Sequence, residues 1–146
     1  MAKSVKSAAQ EVATRCVAAR TRMLARVVSG IYDDALRAVG LTAAQMTILT
    51  ALEHTGGVQP ARLCEALKLD KSTLSRNIDR MERNGWIRRA GGKDARSHKI
   101  ALTEAGRRKF EQALPHWRDA QHQAEELLGG NGMSAVVKVT TKLRGF

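Results

Sequence analysis

A chain of 146 residues suits one domain large enough to bury a core, and its formal net charge of +11 asks for a polyanionic partner. Aromatic residues make up only 3% of it, which argues against base-stacking platforms for single-stranded nucleic acid and leaves duplex DNA as the preferred polyanion. The surplus charge is local: residues 60–109 hold 14 Lys/Arg against 6 Asp/Glu, whereas residues 110–146 hold 4 of each.

Residues 1 to about 10 carry no strong apolar period and read as a frayed start to the first helix. From Glu11 to Val39 the pattern is helical throughout. Leu24, Val27, Val28, Ile31 and Ala35 share a face, and Arg15, Arg22, Arg26 and Arg37 interrupt it as solvated or interfacial charges. A helix this long needs a partner to bury it. Gly40 ends it, and Thr42 is positioned to cap a second helix carrying Met46, Leu49 and Leu52 on one side. The glycines of His54-Thr55-Gly56-Gly57-Val58-Gln59 predict a loop, with room for a short third strand.

Pro60 occupies a tolerated first-turn position before a short helix in which Leu63 and Leu67 share a face. Lys68-Leu69 turns the chain, and Asp70 stands where a carboxylate can accept the first amides of a new helix. That helix, Lys71 to about Asn84, buries Leu74, Ile78 and Met81. It presents Ser72, Thr73, Arg76, Arg80 and Arg83 on the other side, and Gly85 supplies the left-handed residue that stops it. Trp86-Ile87-Arg88-Arg89, a Gly91-Gly92-Lys93-Asp94 turn and His98-Lys99-Ile100-Ala101-Leu102 form a hairpin with a basic tip. Thr103 can cap a further helix through Phe110, Leu114 and Trp117 towards Leu127, with a kink at Pro115 and a break at Gly129-Gly130-Asn131-Gly132. Val136, Val139, Thr140 and Leu143 fit a last helical segment, although their β-branched content would also suit a strand.

Leu69-Asp70-Lys71-Ser72-Thr73-Leu74-Ser75-Arg76, Met81-Glu82-Arg83-Asn84-Gly85-Trp86-Ile87, Asp94-Ala95-Arg96-Ser97 and Leu102-Thr103-Glu104-Ala105-Gly106 together resemble the MarR-type winged-helix transcriptional regulators. Leu41-Thr42-Ala43-Ala44-Gln45-Met46 is similar to that family's entry into its second helix. The resemblance implies a mainly α fold with a small β-hairpin wing: a winged helix-turn-helix over 41–110, flanked by helical dimerisation regions at 11–40 and 111–146, in a single domain. The family closes its dimer by interleaving helices from both chain ends, which favours helix for the last segment. By resemblance and position, Lys71, Ser72, Thr73, Arg76, Asn77 and Arg80 are assigned to the major groove or its flanking phosphates. Arg76 is the candidate for a guanine and Asn77 for an adenine. Arg96, held by Asp94, is the family's minor-groove arginine. Arg62, Arg88, Arg89 and Lys93 are candidates for phosphate contacts. The expected partner is a pseudo-palindromic double-stranded operator bound by a homodimer, and the expected function is a repressor released by a small, often aromatic, ligand.

Other readings are weighed beside this one. The resemblance also admits a thiol-based redox sensor, with Cys16 near the start of the first helix, Tyr32 and a thiolate favoured by Arg15 or Arg20; the other reading of Cys16 is a helix-packing cysteine. A non-specific architectural DNA-coating protein would use the same charge without an operator. No hydrolase elbow, zinc-protease motif or phosphate loop is present, so no enzyme, cofactor or metal is expected. Cys64, Trp86 and Trp117 read as packing residues. With no long apolar run and no disulfide framework, the expected location is the cytoplasm, on the nucleoid when DNA-bound, without a membrane partner.

Overall fold

A computed structural model describes residues 4–94 and 97–143. In chain order the elements are α1 (Val5–Arg15), α2 (Val17–Leu36), a 3-10 turn (Arg37–Val39), α3 (Ala43–Thr55), α4 (Pro60–Leu67), α5 (Lys71–Arg83), β1 (Ile87–Ala90), β2 (Lys99–Leu102) and α6 (Glu104–Thr141). The strands pair antiparallel from Ile87 opposite Leu102 to Ala90 opposite Lys99. The third strand expected near Val58 is a single bridge, with Val58 and Ile100 exchanging backbone hydrogen bonds of 3.0 and 2.9 Å. Gly56 and Gly57, both at positive φ, leave that segment no length for a strand.

Apolar periodicity places the core where the helix-turn-helix and hairpin meet. Leu49 and Leu52 of α3, Leu63 of α4, Leu74, Ile78 and Met81 of α5, and Ile87, Ile100 and Leu102 of the strands are all buried. The start of α3 is fixed twice. Thr42 and Gln45 form a reciprocal capping box, and the Asp33 carboxylate accepts the Ala43 amide at 2.7 Å. Small residues Ala113, Ala120 and Ala124 are buried along α6, which packs against α2 and α3.

Two expectations change. The helix foreseen over Glu11–Val39 is interrupted at Cys16, whose ψ of 107° is extended. The Thr14 carbonyl left over at that break accepts from the Arg20 guanidinium, and the Thr14 hydroxyl donates back to Gln10 at 2.8 Å. No residue of α1 is buried, so packing within the chain does not hold the two helices in line. At the other end, helical dihedrals persist through Pro115, and the only non-helical residue inside α6 is Gly129 (φ 65°, ψ 171°). The glycine run therefore bends the path at one residue, and the chain is helical again to Thr141. Among the described residues no single helix is long and apolar enough to cross a membrane.

Candidate nucleic-acid interface

Helix α5, expected from the sequence to read DNA, is held at both ends by local chemistry. At its start the Asp70 carboxylate accepts from the Thr73 amide (2.8 Å), the Ser72 hydroxyl (2.6 Å) and the Thr73 hydroxyl (2.6 Å). Led by the Ser72 hydroxyl, these bonds hold the Asp70 carboxyl well below the usual carboxylate range. Because the folded value is the lower one, the contribution of the cap is whole above the unfolded carboxylate pKa and is lost as pH falls through the depressed value. At its end, the Gly85 amide donates to Glu82 (2.9 Å) and the Trp86 amide to Met81 (3.0 Å), with Gly85 at φ 73°. The turn before α5 passes through Lys68 at φ 54°, the only non-glycine with positive φ among the described residues. Replacing Asp70 with alanine is expected to fray the first turn of α5. Faster hydrogen exchange of the Thr73 amide at neutral pH, accompanied by weaker DNA binding, would be the readout.

Lys71, Arg76 and Arg80 are exposed on α5 and make no ion pair with any described residue. Ser72 and Thr73 share that turn, but their hydroxyl protons and the Thr73 amide are given to Asp70, which leaves their hydroxyl oxygens as acceptors. The Asn77 amide donates to the Thr73 carbonyl at 3.0 Å and is half-buried, so its side chain follows the helix and does not project from it. Arg89 also departs from its expected role. It reaches back from β1 to Asp79 (2.9 Å) and Glu82 (3.0 Å), tying the hairpin to α5 and leaving little charge for a phosphate. Arg88 and Lys93 remain exposed on the hairpin. Asp94 turns the tip by accepting the Ser97 amide at 3.0 Å. The expected minor-groove residue Arg96 lies outside the described residues.

Arg62 and Lys99 line one small cleft with Gly57, Val58 and Gln59. Lys99 is absent from the sequence-derived set, although its alternation with buried Ile100 already points it to solvent. The hairpin is anchored to α6 through Thr103, whose amide donates to the Trp86 carbonyl (3.0 Å) and whose hydroxyl donates to the Gly85 carbonyl (2.6 Å). Lys109 of α6 stands 5.3 Å from the Trp86 ring centre and donates to the Val39 carbonyl at 3.1 Å, linking this junction to the 3-10 turn that follows α2.

Where α2, α3 and α6 meet there is a cavity of about 280 Å³. Val28, Met46 and Trp117 are among its apolar walls, and Tyr32 opens onto it. Tyr32 does not neighbour Cys16: they are about 24 Å apart at the 1.5 Å rise of a helix. Arg20, considered as a thiolate partner, is engaged by Thr14. Cys64 packs at the edge of the core as expected. No cluster of His, Cys, Asp or Glu able to hold a metal occurs among the described residues.

Comparison with known proteins gives a consistent picture. The MarR family model matches residues 39–97. The transcriptional repressor MprA of Escherichia coli is 30% identical over 111 residues, covering 74% of this chain and 63% of MprA. The chain thus spans just under two thirds of the length of the first curated relatives it matches. The multiple antibiotic resistance protein MarR of Salmonella typhimurium is 31% identical over 98 residues, 66% of this chain and 67% of MarR. Among solved structures, the M. tuberculosis transcriptional regulator MosR in complex with DNA superposes with a TM-score of 0.74 at 30% identity, covering 88% of this chain and 96% of MosR. With the capped reading helix, the hairpin tied to it and the helical arms at both ends, these likenesses show that the chain belongs to the MarR family.

Proposed function

We propose that the chain is a sequence-specific, double-stranded DNA-binding transcriptional regulator, acting as a homodimeric repressor in the cytoplasm and released from its operator by a small aromatic ligand. The observation that carries this reading is a helix stiffened at both ends that points Lys71, Arg76 and Arg80 away from the core beside a basic hairpin. Arg76 reads a guanine and Lys71 and Arg80 flank it. Arg62, Lys99, Arg88 and Lys93 neutralise phosphates, and Arg96 enters the minor groove. Ser72 and Thr73 accept bonds through their hydroxyl oxygens, and Asn77 reads a base only by giving up Thr73. The names of the relatives, a transcriptional repressor and a regulator crystallised with DNA, point the same way.

The test is binding to the DNA upstream of the chain's own gene against scrambled DNA, titrated with salt. A preference of at least roughly 10³ at physiological salt is expected. Equal affinity for both DNAs would favour an architectural role. Dimerisation is supported by Val12, Val17, Met23, Leu24 and Val27, which stand exposed on α1 and α2, and by Leu127, Val137 and Val139 on α6. An apolar groove of about 460 Å³ between α2 and the end of α6 includes Leu24 and Val139. Leu24→Glu is expected to shift the chain from dimer to monomer in sedimentation velocity, with loss of tight operator binding. A variant sedimenting as the wild type would count against this interface.

A further inference from the structure

We propose that Lys109 is the positioning residue that fixes the angle between each reading head (α3 to β2) and its arm (α2), and so sets the half-site spacing that the dimer accepts. The inference rests on the homodimeric reading above and names what holds its geometry. Lys109 is half-buried on α6. Its ammonium donates to the Val39 carbonyl at 3.1 Å and stands 5.3 Å from the centre of the Trp86 ring. Among the described residues no carboxylate pairs with it, and its charge faces a carbonyl and a ring.

Each partner is fastened to a different half of the chain. Val39 closes the 3-10 turn that ends the arm. There the Leu36 carbonyl accepts the Leu41 amide at 3.2 Å and the Arg37 carbonyl the Gly40 amide at 3.0 Å, and Lys109 supplies the cation that the negative end of the turn favours. Trp86 belongs to the head: its amide donates to Met81 of α5 at 3.0 Å, and its carbonyl accepts the Thr103 amide at 3.0 Å. Arg107 pairs with Glu53 of α3 at 3.2 Å and fastens the same stretch of α6 to the head. The Asp33 bond to the Ala43 amide, 2.7 Å, fixes where α3 leaves the arm but not the swing about that point. Leu36 and Leu41 pack into the core non-directionally and tolerate a small swing, whereas the Lys109 hydrogen bond is directional. Distance amplifies such a swing. At about 1.5 Å per residue α5 extends about 18 Å from its Trp86 end, so a tilt of about 5° moves its far end by roughly 1.5 Å. Two protomers add to roughly 3 Å, close to the rise of about 3.4 Å for one base pair.

The test uses the full chain and its preferred upstream DNA, unaltered or with one base pair inserted or deleted between the half-sites, beside a duplex carrying a single half-site. Wild type is expected to lose at least roughly tenfold in affinity for either altered spacing. Lys109→Met keeps the length of the stem and the helix, and is expected to shrink that penalty to about threefold or less. Its affinity for the single half-site is expected to stay within about twofold of wild type, because Lys109 lies away from the reading face of α5. Lys109→Arg, which still donates to Val39 and stacks on Trp86, is expected to restore most of the penalty. A merely structural role would lower all affinities together, without regard to spacing. An unchanged penalty in Lys109→Met, a uniform loss on every duplex, or Lys109→Arg behaving like Lys109→Met would overturn the inference. Wild-type binding that ignores spacing would sink the homodimeric reading along with it, whereas a strict spacing rule kept by Lys109→Met would sink this inference alone.

Discussion

Arg76→Ala is expected to weaken binding to the preferred DNA by roughly tenfold or more per half-site and to erase base preference at one position in each. A bidentate arginine–guanine contact discriminates by about 1–3 kcal/mol, and a dimer loses it twice. Arg76, the proposed guanine reader, gives the cleanest test because it is exposed on α5 and pairs with no described residue, so truncation leaves no partner among them orphaned. The measurement is competition among operator variants carrying single base changes, at several salt concentrations. Arg88→Ala on β1 supplies the contrast, with affinity falling nearly uniformly across sequences and the salt slope dropping by about one per protomer. If Arg76→Ala behaved like Arg88→Ala, Arg76 would be a phosphate contact and the reading of bases would belong elsewhere on α5.

The elements legible from sequence were those whose causes are local. Asp70, Gly85, Thr42 and Thr103 each announce a helix boundary by residue type, and each performs that capping or stopping role in the structure. Leu74, Ile78 and Met81 announce the buried face of α5 by period, and all three are buried. What was hidden depends on groups distant along the chain or on competition for one proton. Arg89 looks like any basic hairpin residue until folding brings Asp79 and Glu82 beside it. Ser72 and Thr73 look like DNA donors until the capping carboxylate claims both hydroxyls. The interruption at Cys16 has no glycine or proline to mark it, and it involves Arg20 from the following helix. The cavity between α2, α3 and α6 has no motif to announce it in the sequence. Its Tyr32 is bonded to Gln121, 89 residues away, and Gln121 in turn to Glu125.

Gly106→Ala is expected to be among the most damaging single substitutions in the chain, lowering the melting temperature by roughly 6–12 °C at about 3 kcal/mol. Gly106 lies in the first turn of α6, where a helix ordinarily gains from alanine. Here a Cβ would fall 2.0 Å from the Trp86 carbonyl oxygen and 2.9 Å from its carbon, with Leu102 Cδ2 at 3.3 Å. The obstructing atoms are backbone, so no rotamer change relieves the clash. That carbonyl also accepts the Thr103 amide, which prevents it from moving without breaking the cap of α6. Relief requires α6 to shift away from the end of α5 and the start of β1, so the reading helix and hairpin would lose their common anchor and DNA affinity would fall even below the melting temperature. Gly130→Ala supplies the internal control. It lies in the same helix beyond the bend, with nothing within 4 Å of a Cβ, and the change is expected to stabilise by about 0.4–1 kcal/mol. Thermal melts of the two variants should therefore move in opposite directions. A Gly106→Ala protein melting with the wild type would show that α6 is not seated on Trp86 in this way.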